Sequence, residues 1–246
     1  MQYALHKYRI KAGLTFFIRV NGNLTYVTRQ RAAGIFATFL AAACFGLLAV
    51  QVPELRLLAK ERYGDKAVAT VASWETLIAN SQDVDNQTKL NSVNDFFNEN
   101  IIWLRDEEAW DATDYWATPL ETMGRAVGDC EDFTIAKYAT LLLMGLPPQS
   151  LRLVYVKAKR NGLTQAHMVL AWYENPLATP LILDNIDFVI RPATEREDLF
   201  PIFSFNADQL WMATQAQPTN SDPQARLSRW SQVLLRMRRE GFNLGS

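Results

Sequence analysis

The sequence contains very few of the residues that form disulfides or bind zinc. Among its 246 residues are two cysteines, Cys44 and Cys130, and two histidines, His6 and His167. Cys44 lies in a hydrophobic stretch, so the remainder of the chain holds a single thiol. One cysteine and one histidine fall short of the usual zinc ligand set, so no zinc centre is predicted. A lone unpaired cysteine favours chemistry over a structural disulfide.

Acidic residues are absent from the first 50 positions. That segment holds six of the 25 basic residues and none of the 26 acidic ones. Residues 32–50 carry no charge, and 19 apolar-rich residues are just enough to span a bilayer. The positive-inside rule then predicts residues 1–31 as a basic cytoplasmic tail, and residues 51–246 as a domain across the membrane. The hydrophobic segment is either a retained transmembrane anchor or a cleaved signal helix.

The rest of the chain has an excess of acid and lacks several common functional motifs. An acidic body argues against a nucleic-acid partner and is compatible with binding hard cations. There is no glycine-rich phosphate loop and no Gly-x-Ser-x-Gly motif. Residues 105–115 form an acidic loop with interspersed aromatics. That loop is either a solvated surface or a source of oxygen ligands.

Hydrophobic periodicity predicts an α+β domain, with helices first and an antiparallel sheet after them. Apolar residues recur at helical spacing in five segments, at residues 53–63, 68–78, 88–100, 133–144 and 224–240. Alternating and β-branched residues predict strands at 151–158, 165–173 and 181–190. The short links between these strands favour an antiparallel meander.

The run Gly128-Asp129-Cys130-Glu131-Asp132 stands where a turn leads into the central helix. Asp129 is a favourable helix cap, and the helix dipole lowers the pKa of a thiol at this position. The three neighbouring carboxylates oppose that effect, because negative neighbours disfavour another negative charge. A bound cation would remove the conflict. We therefore predict a Ca²⁺ site with Asp129, Glu131 and Asp132 as ligands.

A thiol nucleophile also needs a base and a group that orients the base. His167 is the one histidine after the hydrophobic segment, and it falls on the second predicted strand. Asp184 falls on the third strand, and residues on adjacent antiparallel strands lie about 5 Å apart. The order therefore predicts a catalytic triad of Cys130, His167 and Asp184. Asn185 is either a helper of the triad or a turn residue, and we favour the turn.

The chain resembles the bacterial transglutaminase-like cysteine proteinases over residues 115–211. The matching segments are residues 116–121, 128–132 with Lys137 and Tyr138, 151–156, 166–170, 183–185 and 204–207. The resemblance implies a papain- or transglutaminase-like fold with the same triad. It also implies calcium dependence through Asp129 and Glu131, whereas Asp132 rests on charge alone.

Within that family, the chain is most similar to periplasmic proteases that release large surface adhesins. The similarity implies cleavage of an adhesin near its N-terminus at a di-alanine site, with control of biofilm attachment. It further implies an inner-membrane cyclic-di-GMP receptor that sequesters and inhibits the protease. Periplasmic location follows, with attachment to the inner membrane if residues 32–50 are retained. Two alternatives stay open: an amide acyl-transferase using the same triad, and an inert calcium-responsive binding module.

Overall fold

The computed structural model describes residues 16–20, 23–27, 52–213, 217–242 and 244. The chain divides into two compact units, Met1–Leu47 and Leu48–Ser246. In the first unit, strands β1 (Phe16–Val20) and β2 (Asn23–Val27) form an antiparallel hairpin. This hairpin falls within the predicted basic tail, where the sequence analysis predicted no strand.

The second unit begins with helices and continues into a sheet. Its helices are α1 (Val52–Tyr63), α2 (Asp65–Ala79), α3 (Asn86–Asn100), α4 (Asp106–Ala109), α5 (Pro119–Arg125), α6 (Cys130–Leu143), α7 (Pro223–Arg226) and α8 (Ser228–Arg239). Two short strands, β3 (Ile102–Trp103) and β4 (Val127–Gly128), pair in parallel just before α6.

The main sheet has six antiparallel strands. They are β5 (Leu151–Arg160), β6 (Leu163–Trp172), β7 (Leu181–Leu183), β8 (Arg191–Pro192), β9 (Leu199–Phe205) and β10 (Leu210–Met212), in the spatial order β10-β9-β5-β6-β7-β8. The predicted meander is present in β5, β6 and β7. Strands β9 and β10 extend the sheet on the other side of β5, which the sequence analysis did not predict.

Helix α6 is the centre of the unit. It is almost wholly buried, and it packs on β5 and β6 on one side and on α3 on another. Ile135, Tyr138 and Leu141 are fully buried and join the main hydrophobic cluster. Burying a large apolar side chain contributes about 1.5–3 kcal/mol. The helix that begins at the predicted nucleophile is therefore held rigidly against the sheet.

Two predicted segments differ from the observed ones. The third strand was predicted over residues 181–190, but β7 ends at Leu183 and a loop follows. The loop forms because the carboxylates of Asp184 and Asp187 accept hydrogen bonds from backbone N–H groups two residues later, which favours turns over a strand ladder. In the acidic segment, residues 106–109 form a helical turn, α4, where a loop was predicted.

No helix among the described residues has the length and apolarity that a membrane span requires. Residues 32–50, for which a transmembrane or signal helix is predicted, lie outside the described residues.

Candidate active site

Cys130 is the first residue of α6, and two aspartates fix its position. Asp129 is the N-cap, and its carboxylate accepts a hydrogen bond from the backbone N–H of Glu131 at 3.3 Å. In return, Oδ2 of Asp132 accepts from the backbone N–H of Asp129 at 3.3 Å, which completes a capping box. The cap was predicted at Asp129, and the reciprocal contact from Asp132 was not.

Asp132 also ties the preceding loop to the start of the helix. Its side chain is fully buried and accepts from the backbone N–H of Ala117 at 2.7 Å and from Nε1 of Trp110 at 2.9 Å. Burial raises its pKa to about 8. Both carboxylate oxygens of Asp132 therefore accept hydrogen bonds that hold the preceding loop and the start of α6 together, in addition to any role in binding a cation.

His167 lies on β6, beside the helix that carries the thiol. Its side chain is 3 % exposed. The hydroxyl of Thr134 on α6 donates to the backbone oxygen of Met168 at 3.1 Å. The backbone N–H of Met168 hydrogen-bonds to the sulfur of Cys130. Helix α6 is therefore fixed to β6 at the residue directly after His167.

Asp184 follows β7 and meets the imidazole as predicted. Nε2 of His167 lies 2.8 Å from its Oδ1, and Nη2 of Arg196 lies 2.7 Å from its Oδ2. Burial alone would raise the pKa of Asp184, but the bonds from His167 and Arg196 hold it well below its usual range. The carboxylate is therefore charged. The guanidinium of Arg196 also pairs with Asp198. The sequence analysis did not single out Arg196, because its charged neighbours give it the pattern of a solvated segment.

A buried lysine holds the backbone of Asp184 from the other side. Nζ of Lys137, on α6, lies 2.8 Å from the side-chain oxygens of Asn94 and Asn98, and 2.9 Å from the backbone oxygen of Asp184. The side chain of Asn98 donates to the same Asp184 oxygen at 2.9 Å. Three acceptors match the three N–H bonds of an ammonium group. Burial lowers the pKa of Lys137 to about 7.

The thiol environment is strongly negative. The sulfur of Cys130 lies 2.7 Å from Oε2 of Glu131. Burial raises the pKa of Cys130 well above its usual value, and the charges of Glu131 and Asp129 raise it further. The predicted conflict between thiolate and carboxylates is therefore present in the structure.

The carboxylates form a compact group of oxygen atoms. Ligand atoms of Asp106, Asp129 and Asp132 lie within 4.8 Å of one another, as do those of Asp129, Cys130 and Glu131. Burial and the neighbouring charges raise the pKa of Asp129, and burial raises that of Asp106 to about 6. One oxygen of Asp106 accepts from a backbone N–H, while the other is buried with no partner among the described residues. The group of Asp106, Asp129 and Asp132 offers only oxygen ligands, which fits a hard cation such as Ca²⁺, whereas the second group also includes the sulfur of Cys130.

Asp106 is the residue that the sequence analysis did not single out. It lies in the segment that was predicted as either a solvated surface or a source of oxygen ligands. The structure favours the second interpretation for this residue, because Asp106 is only 8 % exposed. Its neighbours Glu107 and Glu108 are exposed. A buried carboxylate in an otherwise polar run has no signature in a single sequence.

Cys130 and His167 open onto the same cleft, which has a volume of about 570 Å³. The lining residues are Trp103, Asp129, Cys130, Glu131, Arg160, Gln165, Ala166, His167, Asn185 and Ile186. Asn185 was interpreted as a turn residue. Its side-chain oxygen and nitrogen are both buried and lack partners within the described part of the chain, so its amide is available to a bound molecule.

Comparison with known proteins gives a consistent result. The family model of the bacterial transglutaminase-like cysteine proteinases matches residues 65–217. A solved structure of Legionella pneumophila LapG is 35% identical, with a TM-score of 0.66, over 76% of this chain and 97% of that chain. An EGTA-treated form is 36% identical, with a TM-score of 0.67, over 76% and 97%. A calcium-bound form is 35% identical, with a TM-score of 0.66, over 76% and 98%. No curated protein sequence matches the chain.

The family match covers more than half of the chain and includes all three predicted triad positions. The similarity to the LapG structures extends over nearly their whole length. The chain belongs to the bacterial transglutaminase-like cysteine proteinases.

Proposed function

We propose that the protein is a calcium-dependent cysteine endopeptidase with Cys130, His167 and Asp184 as its catalytic triad. The contact between His167 and Asp184, beside the cleft that also holds the Cys130 sulfur, is the observation that carries this proposal. Because Nε2 is hydrogen-bonded to the carboxylate, Nδ1 of the imidazole is the nitrogen that accepts the proton of the Cys130 thiol. This division of the two ring nitrogens is the arrangement that a cysteine nucleophile needs.

In the first half of the reaction, His167 takes the thiol proton and the sulfur attacks the scissile carbonyl carbon. The backbone N–H of Cys130 donates to the developing oxyanion. His167 then protonates the leaving amine as the C–N bond breaks. In the second half, water attacks the thioester, which releases the acid and restores the thiol. Asp184 holds the imidazole tautomer and stabilises its positive form.

Calcium would be held by Asp129, Glu131 and Asp132, with Asp106 as a further ligand. The support is the oxygen-only donor set and the buried, unpaired oxygen of Asp106. Similar proteins are described as calcium-bound and EGTA-treated. When bound, the ion supplies positive charge beside a thiol that is surrounded by carboxylates. These residues also shape the turn that positions Cys130.

The substrate we propose is a large surface adhesin, cut near its N-terminus at a di-alanine site, so that cleavage controls biofilm attachment. The proposed regulator is an inner-membrane cyclic-di-GMP receptor that inhibits the protease by binding it. The proposed location is the periplasm, with residues 32–50 as an attachment to the inner membrane if they are retained. Support comes from membership of the family and from the charge step around residues 32–50. The acidic excess after residue 50 argues against a nucleic-acid partner.

The test is incubation of the protein with an adhesin N-terminal fragment that contains an Ala-Ala site, with calcium or with EGTA. We expect a single cut at that site in calcium and none in EGTA. A Cys130→Ser variant is the matched control and should leave the fragment intact. Cleavage that persists in EGTA would reject the calcium requirement while leaving the triad in place.

The same assay separates the two alternatives. An amine added to the reaction would become attached to the peptide if the protein were an acyl-transferase, and hydrolysis would be minor. An inert binding module would cut nothing, and iodoacetamide would modify its Cys130 no faster than a free thiol in solution.

A further inference from the structure

Strand β6 has an unpaired edge next to the candidate nucleophile. It pairs with β5 along its full length, but it pairs with β7 only from Leu170 to Trp172. In the part of the chain that the structure describes, no other strand pairs with β6. No described strand pairs with this edge from Leu163 to Val169; residues 163–166 are exposed, whereas residues 167–169 are buried, so the open part of the edge is Leu163 to Ala166. Open edges are templates for pairing with another extended chain.

The backbone of Met168 shows which way the edge faces. Its N–H bonds to the sulfur of Cys130, and its C=O accepts from Thr134 on the same helix. In an antiparallel strand, the N–H and C=O of one residue point to the same side, and every second residue repeats that direction. The N–H and C=O groups of Ala166 and Thr164 therefore face the side on which the thiol lies.

Trp103 lines the same cleft as this edge. The residue is 54 % exposed, which is unusual for such a large aromatic residue. Its backbone pairs with Gly128, two residues before Cys130. The neighbouring Ile102 is 66 % exposed but does not line the cleft. The tryptophan therefore offers an apolar surface at a fixed position near the thiol.

We propose that the cleft binds its substrate as an added β-strand. Thr164 and Ala166 exchange backbone hydrogen bonds with an extended polypeptide, and Trp103 contacts a substrate side chain. Backbone pairing supplies affinity that is independent of sequence, while the wall of the cleft selects side chains. At about 3.4 Å per residue, the open edge from Leu163 to Ala166 accommodates about four substrate residues. The inference rests on the proposed peptidase function and specifies the form of its substrate, an unfolded segment.

The first test is a series of peptides that span the cut site, each N-methylated at one backbone position. Strand addition predicts that methylation at alternate residues on one side of the scissile bond raises KM about 10-fold, because each removes one paired N–H. Methylation at the intervening residues should have little effect. A series with uniform effects, or with none, would overturn the proposal while the cleavage of the parent peptide upheld the peptidase function.

If the parent peptide is not cut, the proposed function fails, and the same series is then measured by calorimetric binding to the Cys130→Ser variant. Alternating affinity supports strand addition without turnover, and uniform affinity rejects it.

The second test compares Trp103→Ala with Ile102→Ala in the full chain. Both remove a large exposed side chain from β3, so both variants should keep the melting temperature of the parent within a few degrees. We expect Trp103→Ala to raise KM at least about 10-fold with kcat nearly unchanged. Ile102→Ala should leave both constants as they are. Equal kinetics for the two variants would remove Trp103 from the substrate site.

Discussion

Nε2 of His167 lies 2.8 Å from Oδ1 of Asp184, and Arg196 approaches the other oxygen of the same carboxylate at 2.7 Å. The carboxylate is therefore fixed at both oxygens, and the imidazole has one orientation. Because Nε2 is hydrogen-bonded to Asp184, Nδ1 is the ring nitrogen that is free to interact with the Cys130 thiol. The orientation of the imidazole therefore depends on two residues outside β6, Asp184 and Arg196.

Replacing Asp184 with Asn should lower kcat/KM about 10⁴-fold, because the wrong imidazole tautomer would be favoured. The matched control is Asp198→Asn. Asp198 also pairs with Arg196, at 2.9 Å, but its side chain is 43% exposed and does not contact the imidazole. We expect the control to keep most of its activity in the same peptide assay. Comparable losses in both variants would show that Arg196 pairing, and not the contact with His167, is what matters.

Lys137→Met should lower kcat by up to about 100-fold while the protein still folds. The change removes the ammonium group that holds the backbone oxygen of Asp184, and small displacements of a catalytic group can cost that much. Lys89→Met is the control, because Nζ of Lys89 also donates to a backbone oxygen, that of Met144, but outside the site. Its kcat should not change. Circular dichroism would establish that both variants are folded before their rates are compared.

The same lysine gives the stability of the protein a definite pH dependence. The pKa of Lys137 is lowered to about 7 in the folded state by burial, whereas a free lysine has a pKa of about 10.4. Between these values the unfolded chain holds more protons on this lysine, so the contribution of Lys137 to the free energy of unfolding rises with pH. Below pH 7, Lys137 is charged in both the folded and the unfolded state, so the full free-energy cost of burying its charge is present. In denaturant titrations from pH 7 to pH 10, the free energy of unfolding of the parent minus that of Lys137→Met should therefore increase with pH, because this difference isolates the contribution of the lysine from those of the buried acidic groups.

The central helix, the meander and the contact between His167 and Asp184 could be predicted because each leaves a local pattern. Cys130 begins an apolar helical run, and His167 is the one candidate base after the hydrophobic segment. The remaining site residues have no such pattern. Lys137 lies within an apolar helix, and Arg196 lies in a polar segment that looks solvated. Their partners are distant in sequence, so only the folded chain shows that both act on Asp184.

Calcium should increase the reactivity of Cys130. The sulfur lies 2.7 Å from a Glu131 carboxylate oxygen, which disfavours the thiolate, and a cation held by that carboxylate would reverse the local charge. Each unit by which the thiol pKa falls raises the thiolate fraction about tenfold. Iodoacetamide labelling at neutral pH should therefore be faster in calcium than in EGTA.

A Glu131→Gln variant should lose this response to calcium. It should also label faster than the parent in EGTA, because the repelling charge is gone. Glu107→Gln, at an exposed position on α4, should label as the parent does in both conditions. Identical labelling of the parent with and without calcium would contradict a cation at this position.

Gly128 should be irreplaceable for a reason other than backbone conformation. A Cβ atom at this position would lie 2.7 Å from both Cβ and Oδ2 of Asp132, which completes the capping box of α6 and is fully buried. Gly128→Ala should therefore lower the free energy of unfolding by about 1–3 kcal/mol, the usual cost of overpacking. It should also reduce activity, because relieving the clash moves Asp132 away from the turn that positions Cys130.

Ala126→Gly is the informative comparison, since Ala126 has a left-handed backbone with φ of 56°. Glycine adopts that conformation without strain, so this variant should be as stable as the parent, or more stable, in the same denaturant titration.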